Sequence, residues 1–127
     1  MNPKSAVQWV TMINAGLPVR SAEALQRAIG MPDAVLAQLL GVSEMSLAQL
    51  RGGNGRLDLL MSDRLLRVAR IVALAIQMLE SERAALRWLM HPRFELGSRA
   101  PLALMKTDAG RHLVERLLLR AEHRVCA

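Results

Sequence analysis

Apolar residues recur along this chain at three- and four-residue spacing, with no clean two-residue alternation, and Gly and Pro interrupt them at short intervals. The pattern predicts eight helices and no strands. The first covers Ser5 to Ala15, carries Val7, Trp9, Val10, Met12 and Ile13, and stops at Gly16-Leu17-Pro18. The second starts at Ser21, with Glu23 and Gln26 close by to support the cap, and ends at Ile29 before Gly30. Pro32 suits the entry to a third helix, Asp33 to Leu40, which Gly41 breaks. Ser43 caps a fourth through Leu50. Gly52-Gly53-Asn54-Gly55 then reads as a flexible connection with several positions suited to positive φ.

Ser62 or Asp63 starts the longest helix, which reaches about Leu79 with Leu65, Ala69, Val72, Ala75, Ile76 and Leu79 on one stripe. Ser81 begins a sixth, with Ala84 to Met90 as its body and Pro92 as its stop. Gly97 to Pro101 forms a turn, and Pro101 opens a short seventh helix through Met105. Thr107 caps the last helix. Its stripe of Gly110, Leu113, Val114, Leu117, Leu118 and Ala121 leaves Arg111, Glu115, Arg116 and Arg120 mostly outside. The expected fold is all-α: an N-terminal helix-turn-helix bundle over residues 1–60, a connecting helix over 61–80 and a small helical C-terminal module over 81–127.

Composition narrows the class. A chain of 127 residues makes one domain, or two small ones sharing a core, and 52% hydrophobic residues supply that core. Trp9, Trp88 and Phe94 are the only aromatic residues, so Leu, Ala, Val, Ile and Met must fill it. The single Cys126 permits no internal disulfide. Met1-Asn2-Pro3-Lys4-Ser5 lacks the features of a secretory signal, which leads us to expect a cytoplasmic protein. The apolar run Ile71 to Ile76, flanked by Arg70 and Glu80, falls far short of the ~20 residues that span a bilayer.

A formal charge of +6 and a pI near 11.2 suit a polyanion partner such as nucleic acid. The surplus is unevenly placed. Residues 1–60 carry five basic side chains (Lys4, Arg20, Arg27, Arg51, Arg56) against four acidic, whereas 61–127 carry twelve against seven. A DNA-reading helix-turn-helix needs a small residue at the helix crossing, a glycine in the turn and apolar residues that lock the second helix over the first. Ala37, Gly41, Leu47 and Leu50 meet these needs, with Val42 after the glycine and Leu36, Leu39 and Leu40 on the first helix's buried side. Ser43 at the N-cap, with Glu44, Met45, Ser46 and Gln49, is the expected groove-facing set. Gln49 can pair with adenine, and Arg51, Arg56, Arg64 and Arg67 can meet phosphates. One weakly charged motif reads only a half-site, so a homodimer on a palindromic double-stranded operator is expected. The same spacing also fits a helix pair that only packs.

Downstream, Ala84 to Pro92 contains Trp88-Leu89. It is followed by Leu96-Gly97-Ser98-Arg99-Ala100-Pro101-Leu102-Ala103-Leu104-Met105, and then by Thr107-Asp108-Ala109-Gly110-Arg111 leading to Val114 and Leu117-Leu118. This order resembles the toxin-binding domain of the Xre/MbcA/ParS antitoxin family, whose pattern runs A-x-x-W-L-x-x-P, L-G-G-x-x-P-L-x-L-L, T-x-x-G-x-x-x-V-x-x-L-L. Ser62 to Ala69 looks like that family's linker helix, so the resemblance spans nearly the whole chain. Ser98 stands where the pattern has its second turn glycine. Arg124 and Cys126 stand where the family often has Gly and an aromatic residue.

The resemblance implies a type II antitoxin, not an enzyme. Its N-terminal half would bind DNA as an autorepressor, and its C-terminal half would neutralise a cognate RES-type toxin that consumes NAD. It implies a chain end, here His123 to Ala127, that approaches or plugs the toxin's active-site cleft. The expected toxin-facing residues are Arg99, Arg111, Arg116, Arg120, Arg124, Val125, Cys126 and Ala127, which would also account for the basic second half. Trp88, Pro92, Gly97, Pro101, Thr107 and Gly110 are expected to shape the module, with Trp88 in the core. Two other classes fit the sequence: a stand-alone helix-turn-helix repressor that binds its operator without a toxin, and a structural adaptor with a vestigial motif, suggested by Glu44.

Other chemistry is poorly supplied. His91, His112 and His123 form no i, i+4 pair, and no metal or cofactor is expected. His91 is placed at a helix end. Cys126 has no evident base beside it, and no glycine run is followed by the lysine of a phosphate loop.

Overall fold

The structure, a computed structural model, describes residues 7–8, 15–53 and 55–126, with the last six as backbone alone. Most of the expected first helix, Asn54 and Ala127 lie outside the described residues. Among those described there are six α-helices, two 3-10 turns and no strand. The α-helices are α1 (Val19–Ile29), α2 (Asp33–Leu40), α3 (Glu44–Gly52), α4 (Leu59–Leu79), α5 (Glu82–Met90) and α6 (Asp108–Cys126). The 3-10 turns, Phe94–Leu96 and Pro101–Leu104, link α5 to α6. The all-α expectation holds.

Several caps fall where the sequence places them. The Ser43 hydroxyl accepts from the Ser46 N–H at 3.1 Å, Ser81 from Ala84 at 3.1 Å and Thr107 from Gly110 at 3.0 Å. Two starts differ. α1 begins at Val19 rather than Ser21, because Pro18 already holds the extended geometry of an N-cap without any side-chain bond. α4 begins at Leu59 rather than Ser62 or Asp63, because the Asp58 carboxylate accepts from the Met61 N–H at 2.8 Å.

That earlier start carries Ser62 into the body of α4, where it is fully buried. Its hydroxyl accepts the Leu17 N–H at 2.9 Å and donates to the Leu57 carbonyl at 3.3 Å. The same two segments pair antiparallel: Leu57 N–H reaches Leu17 O at 2.8 Å and Val19 N–H reaches Gly55 O at 2.9 Å. A Cβ on Gly55 would overlap the Leu50 carbonyl and press on Val19. This end of the glycine run is therefore a close backbone crossing, not the flexible connection the sequence suggests. Gly53 is extended, at φ −123°.

α4 is the central element, packed by α2, α5 and α6, while α1 also packs on α5. Its buried residues are Met61, Ser62, Leu65, Val68, Ile71, Val72 and Ala75. The expected stripe is correct at Leu65, Val72 and Ala75. Ala69, Ile76 and Leu79 are only half-buried, because neighbours on several sides widen the covered face beyond a single stripe. One continuous apolar core runs from Leu17 through Leu47 and Leu89 to Val114 and Leu118.

Candidate DNA and protein interaction surfaces

α2 and α3 cross as a helix-turn-helix. Leu36, Ala37, Leu39 and Leu40 are buried on α2, and Leu47 is buried on α3, with Val42 and Leu50 packed beside them. Burial of a leucine such as Leu47 is worth roughly 1.5–3 kcal/mol. Gly41 closes α2 at φ 78°, its N–H directed back to Gln38 O, while Val42 N–H reaches Ala37 O at 3.0 Å. The opposite side of α3 is open: Ser43, Glu44, Met45, Ala48 and Gln49 are exposed, Met45 to 73%. Ser46 is half-buried, and its hydroxyl accepts a bond from that of Ser43. The expected groove-facing side chains thus share one accessible face.

The arginines expected at phosphates are all engaged within the chain. Arg51 bonds Gln26 at 2.6 Å and Asp33 at 3.0 Å, and its Nε lies 3.5 Å from a Glu23 carboxylate oxygen. The hydrogen bond from Arg51, followed by that from Gln26, holds the Asp33 carboxyl below its ordinary range, and Asp33 in turn raises Arg51. Arg56 donates to Gly16 O at 2.6 Å, Arg64 to Leu40 O at 3.1 Å, and Arg67 to Asp63 and the Lys106 carbonyl. Arg20 and Arg27 on α1 are exposed and form no ion pair among the described residues.

In the C-terminal module, Leu89, Leu96, Pro101, Leu102, Met105, Val114 and Leu118 are buried. A Cβ on Gly110 would overlap the Leu104 carbonyl, so this glycine seats the start of α6 against the second 3-10 turn. Gly97 and Ser98 both adopt positive φ, at 65° and 63°, and turn the chain after Phe94–Leu96. Pro92 is exposed beyond the end of α5.

Of the residues expected to face a toxin, Arg99, Arg116 and Arg120 are exposed. Arg111 is half-buried and bridges Asp108 at 3.2 Å and Glu115 at 3.1 Å, and its bond is the main reason the Asp108 carboxyl lies below its ordinary range. The backbone at Arg124, Val125 and Cys126 continues α6 beyond Leu118. The long helix's apolar face is covered within the chain, and its exposed leucines, Leu59 and Leu60, lie on its first turn.

One surface was not foreseen. Trp88 is half-buried rather than in the core: the Arg93 guanidinium lies 4.4 Å from its ring centroid, over an open pocket of about 320 Å³. Apolar helical spacing predicts that Trp88 turns inward, but nothing in the spacing shows that a residue beyond Pro92 folds back over it. The sequence signal available was the cluster Arg87, Arg93 and Phe94 around that proline.

Among the described residues, no helix is long and apolar enough to cross a membrane. Residues 8–70 match the Antitoxin Xre-like helix-turn-helix domain, and residues 74–124 match the Antitoxin Xre/MbcA/ParS C-terminal toxin-binding domain. An "Antitoxin Xre" of Yersinia enterocolitica is 28% identical over 117 residues, covering 91% of this chain and 79% of the relative. Another "Antitoxin Xre", from Photorhabdus laumondii, is 25% identical over 113 residues, covering 88% and 76%. Two domains matched in this order along nearly the whole chain, on a helix-turn-helix joined to a helical module, place this protein: it belongs to the Xre/MbcA/ParS antitoxin family.

Proposed function

We propose that this chain is a type II antitoxin of the cytoplasm that neutralises a RES-type, NAD-degrading toxin and represses its own operon. Residues 1–60 serve DNA, 61–80 connect, and 81–127 hold the toxin. The observation that carries the proposal is the pairing, in one chain, of a helix-turn-helix with an open recognition face and a family toxin-binding domain. Exposed Arg99, Arg116 and Arg120 support an acidic or anion-holding toxin surface as the partner. The end of α6 at Arg124, Val125 and Cys126, followed in sequence by Ala127, is the segment proposed to block the toxin cleft, which makes the chain an inhibitor without catalysis or cofactor of its own.

On the operator, Ser43, Glu44, Met45, Ser46 and Gln49 face the groove. Arg51 and Arg56 are engaged internally, so phosphate contact through them requires exchange of those bonds, and a single copy binds weakly. Dimerisation on a palindrome compensates. Co-expression with the protein of the adjacent reading frame tests the whole reading through cell survival, complex formation and NAD content. A neighbour that is lethal alone, depletes NAD and is silenced in a stable complex supports it. A harmless neighbour that forms no complex rejects it in favour of a stand-alone repressor.

A further inference from the structure

The pocket beside Trp88 is lined by Leu79, Ala84, Arg87, Trp88, His91 and Arg93, an apolar floor with basic groups and no acidic side chain. Arg93 is held by its backbone, whose N–H reaches Arg99 O at 3.1 Å and whose carbonyl accepts from Ser98 N–H at 3.0 Å. Its guanidinium stacks on Trp88, and its Nε is shut off from water without an acceptor. The terminal nitrogens are not shut off in this way, and among the described residues they bond no protein acceptor and neither Arg87 nor Arg93 forms an ion pair. The next residue, Phe94, is 90% exposed on the tight turn closed by Gly97 and Ser98.

We propose that this surface receives an acidic side chain of the toxin, carried beside an apolar residue that packs on Phe94. The proposal rests on the toxin-binding reading of the C-terminal module and adds to it a site on α5 and its following turn, separate from the end of α6. A carboxylate reaching the outer edge of Arg93 meets a planar donor fork whose orientation is already fixed and which has already lost part of its hydration. Preorganisation of this kind removes an ordering cost from association. The occupant is a protein rather than a DNA backbone because phosphate offers nothing apolar to Phe94 or to the floor of Leu79 and Ala84, whereas a centrally placed aromatic flanked by arginine is a common energetic anchor of protein interfaces.

The test titrates the full-length chain against the protein of the adjacent reading frame, using Phe94→Ser, Arg93→Lys and Arg87→Glu. Helical circular dichroism serves as the folding control, and operator binding is measured alongside. Phe94→Ser and Arg93→Lys should each weaken the complex by about tenfold, the lysine keeping charge but losing the planar fork. Arg87→Glu should slow association and reduce its salt dependence. Variants that bind within about twofold of the parent, while the parent complex still forms, overturn this site and leave the antitoxin reading standing. Loss of operator binding with toxin binding intact overturns it in favour of a phosphate contact. A parent chain that forms no complex removes both readings.

Discussion

Arg64 lies directly over Gly41: its guanidinium donates to the Leu40 carbonyl at 3.1 Å and fills the space that a Cβ on Gly41 would need. An arginine of the central helix thus caps the first helix of the helix-turn-helix at the residue where the chain turns. The glycine is required twice over, by φ 78° and by its neighbour. Gly41→Ala should cost about 2 kcal/mol, from left-handed backbone strain and the displaced hydrogen bond. Arg64→Ala should cost about 1 kcal/mol. In denaturant unfolding the double variant should lose less than the two together, because one contact is removed twice; strict additivity would show that the two residues act independently.

Ser98 adopts φ 63°, a left-handed conformation that favours glycine. Ser98→Gly should therefore raise stability by about 1 kcal/mol and the Tm by about 4 °C. A lower Tm would mean that the serine side chain compensates for its backbone.

Ser62 joins three segments by satisfying Leu17 N–H and Leu57 O from inside the core. Ser62→Ala leaves the Leu17 N–H without that acceptor and should cost about 1–3 kcal/mol. Ser62→Cys, which keeps a weak acceptor in similar volume, should lose less. Equal Tm values for parent and Ser62→Ala would contradict the assigned role.

Acid should loosen the fold through two carboxylates. Arg51 first and Gln26 second hold Asp33 below its ordinary range, and Arg111 does the same for Asp108. A folded pKa below the unfolded one gives stability that is complete above the unfolded value and lost as pH falls through the folded value. These two carboxylates should leave the Tm unchanged from neutral pH down to about 5 and lower it beneath the ordinary carboxylate range. The double variant Asp33→Asn, Asp108→Asn should show a shallower acid slope; an identical slope would place the sensitivity in other groups.

Removing Val125 to Ala127 should spare the helical content and operator binding while weakening protection of toxin-expressing cells. Unchanged protection would reject the end of α6 as the blocking segment and direct attention to the Trp88 surface.

The helix-turn-helix was legible because its requirements are local: a small residue at Ala37, a left-handed turn at Gly41 and apolar anchors at Leu47 and Leu50. Thr107 and Gly110 were legible for the same reason, a cap and a close approach three residues apart. What escaped depends on contacts between distant segments. Arg51 and Arg64 read as free cations, yet their hydrogen-bond partners lie 18 to 25 positions away in sequence and the Glu23 carboxylate beside Arg51 lies further still. Gly55 read as slack because the Leu50 carbonyl and Val19 that confine it cannot be seen from composition. Trp88 had the right periodicity for the core, and only the return of the chain after Pro92 places Arg93 over it.

The unbroken core from Leu17 to Leu118 bears on how the molecule disappears as much as on how it stands. A chain built as two independently stable halves could be trimmed to a remnant that still occupies one partner. Here the helix that buries Leu65 and Val72 supports both ends at once, so a protease that unravels either end removes its support from the other. Both surfaces share a single lifetime, and any ligand that holds one of them closed extends the survival of the other by mass action.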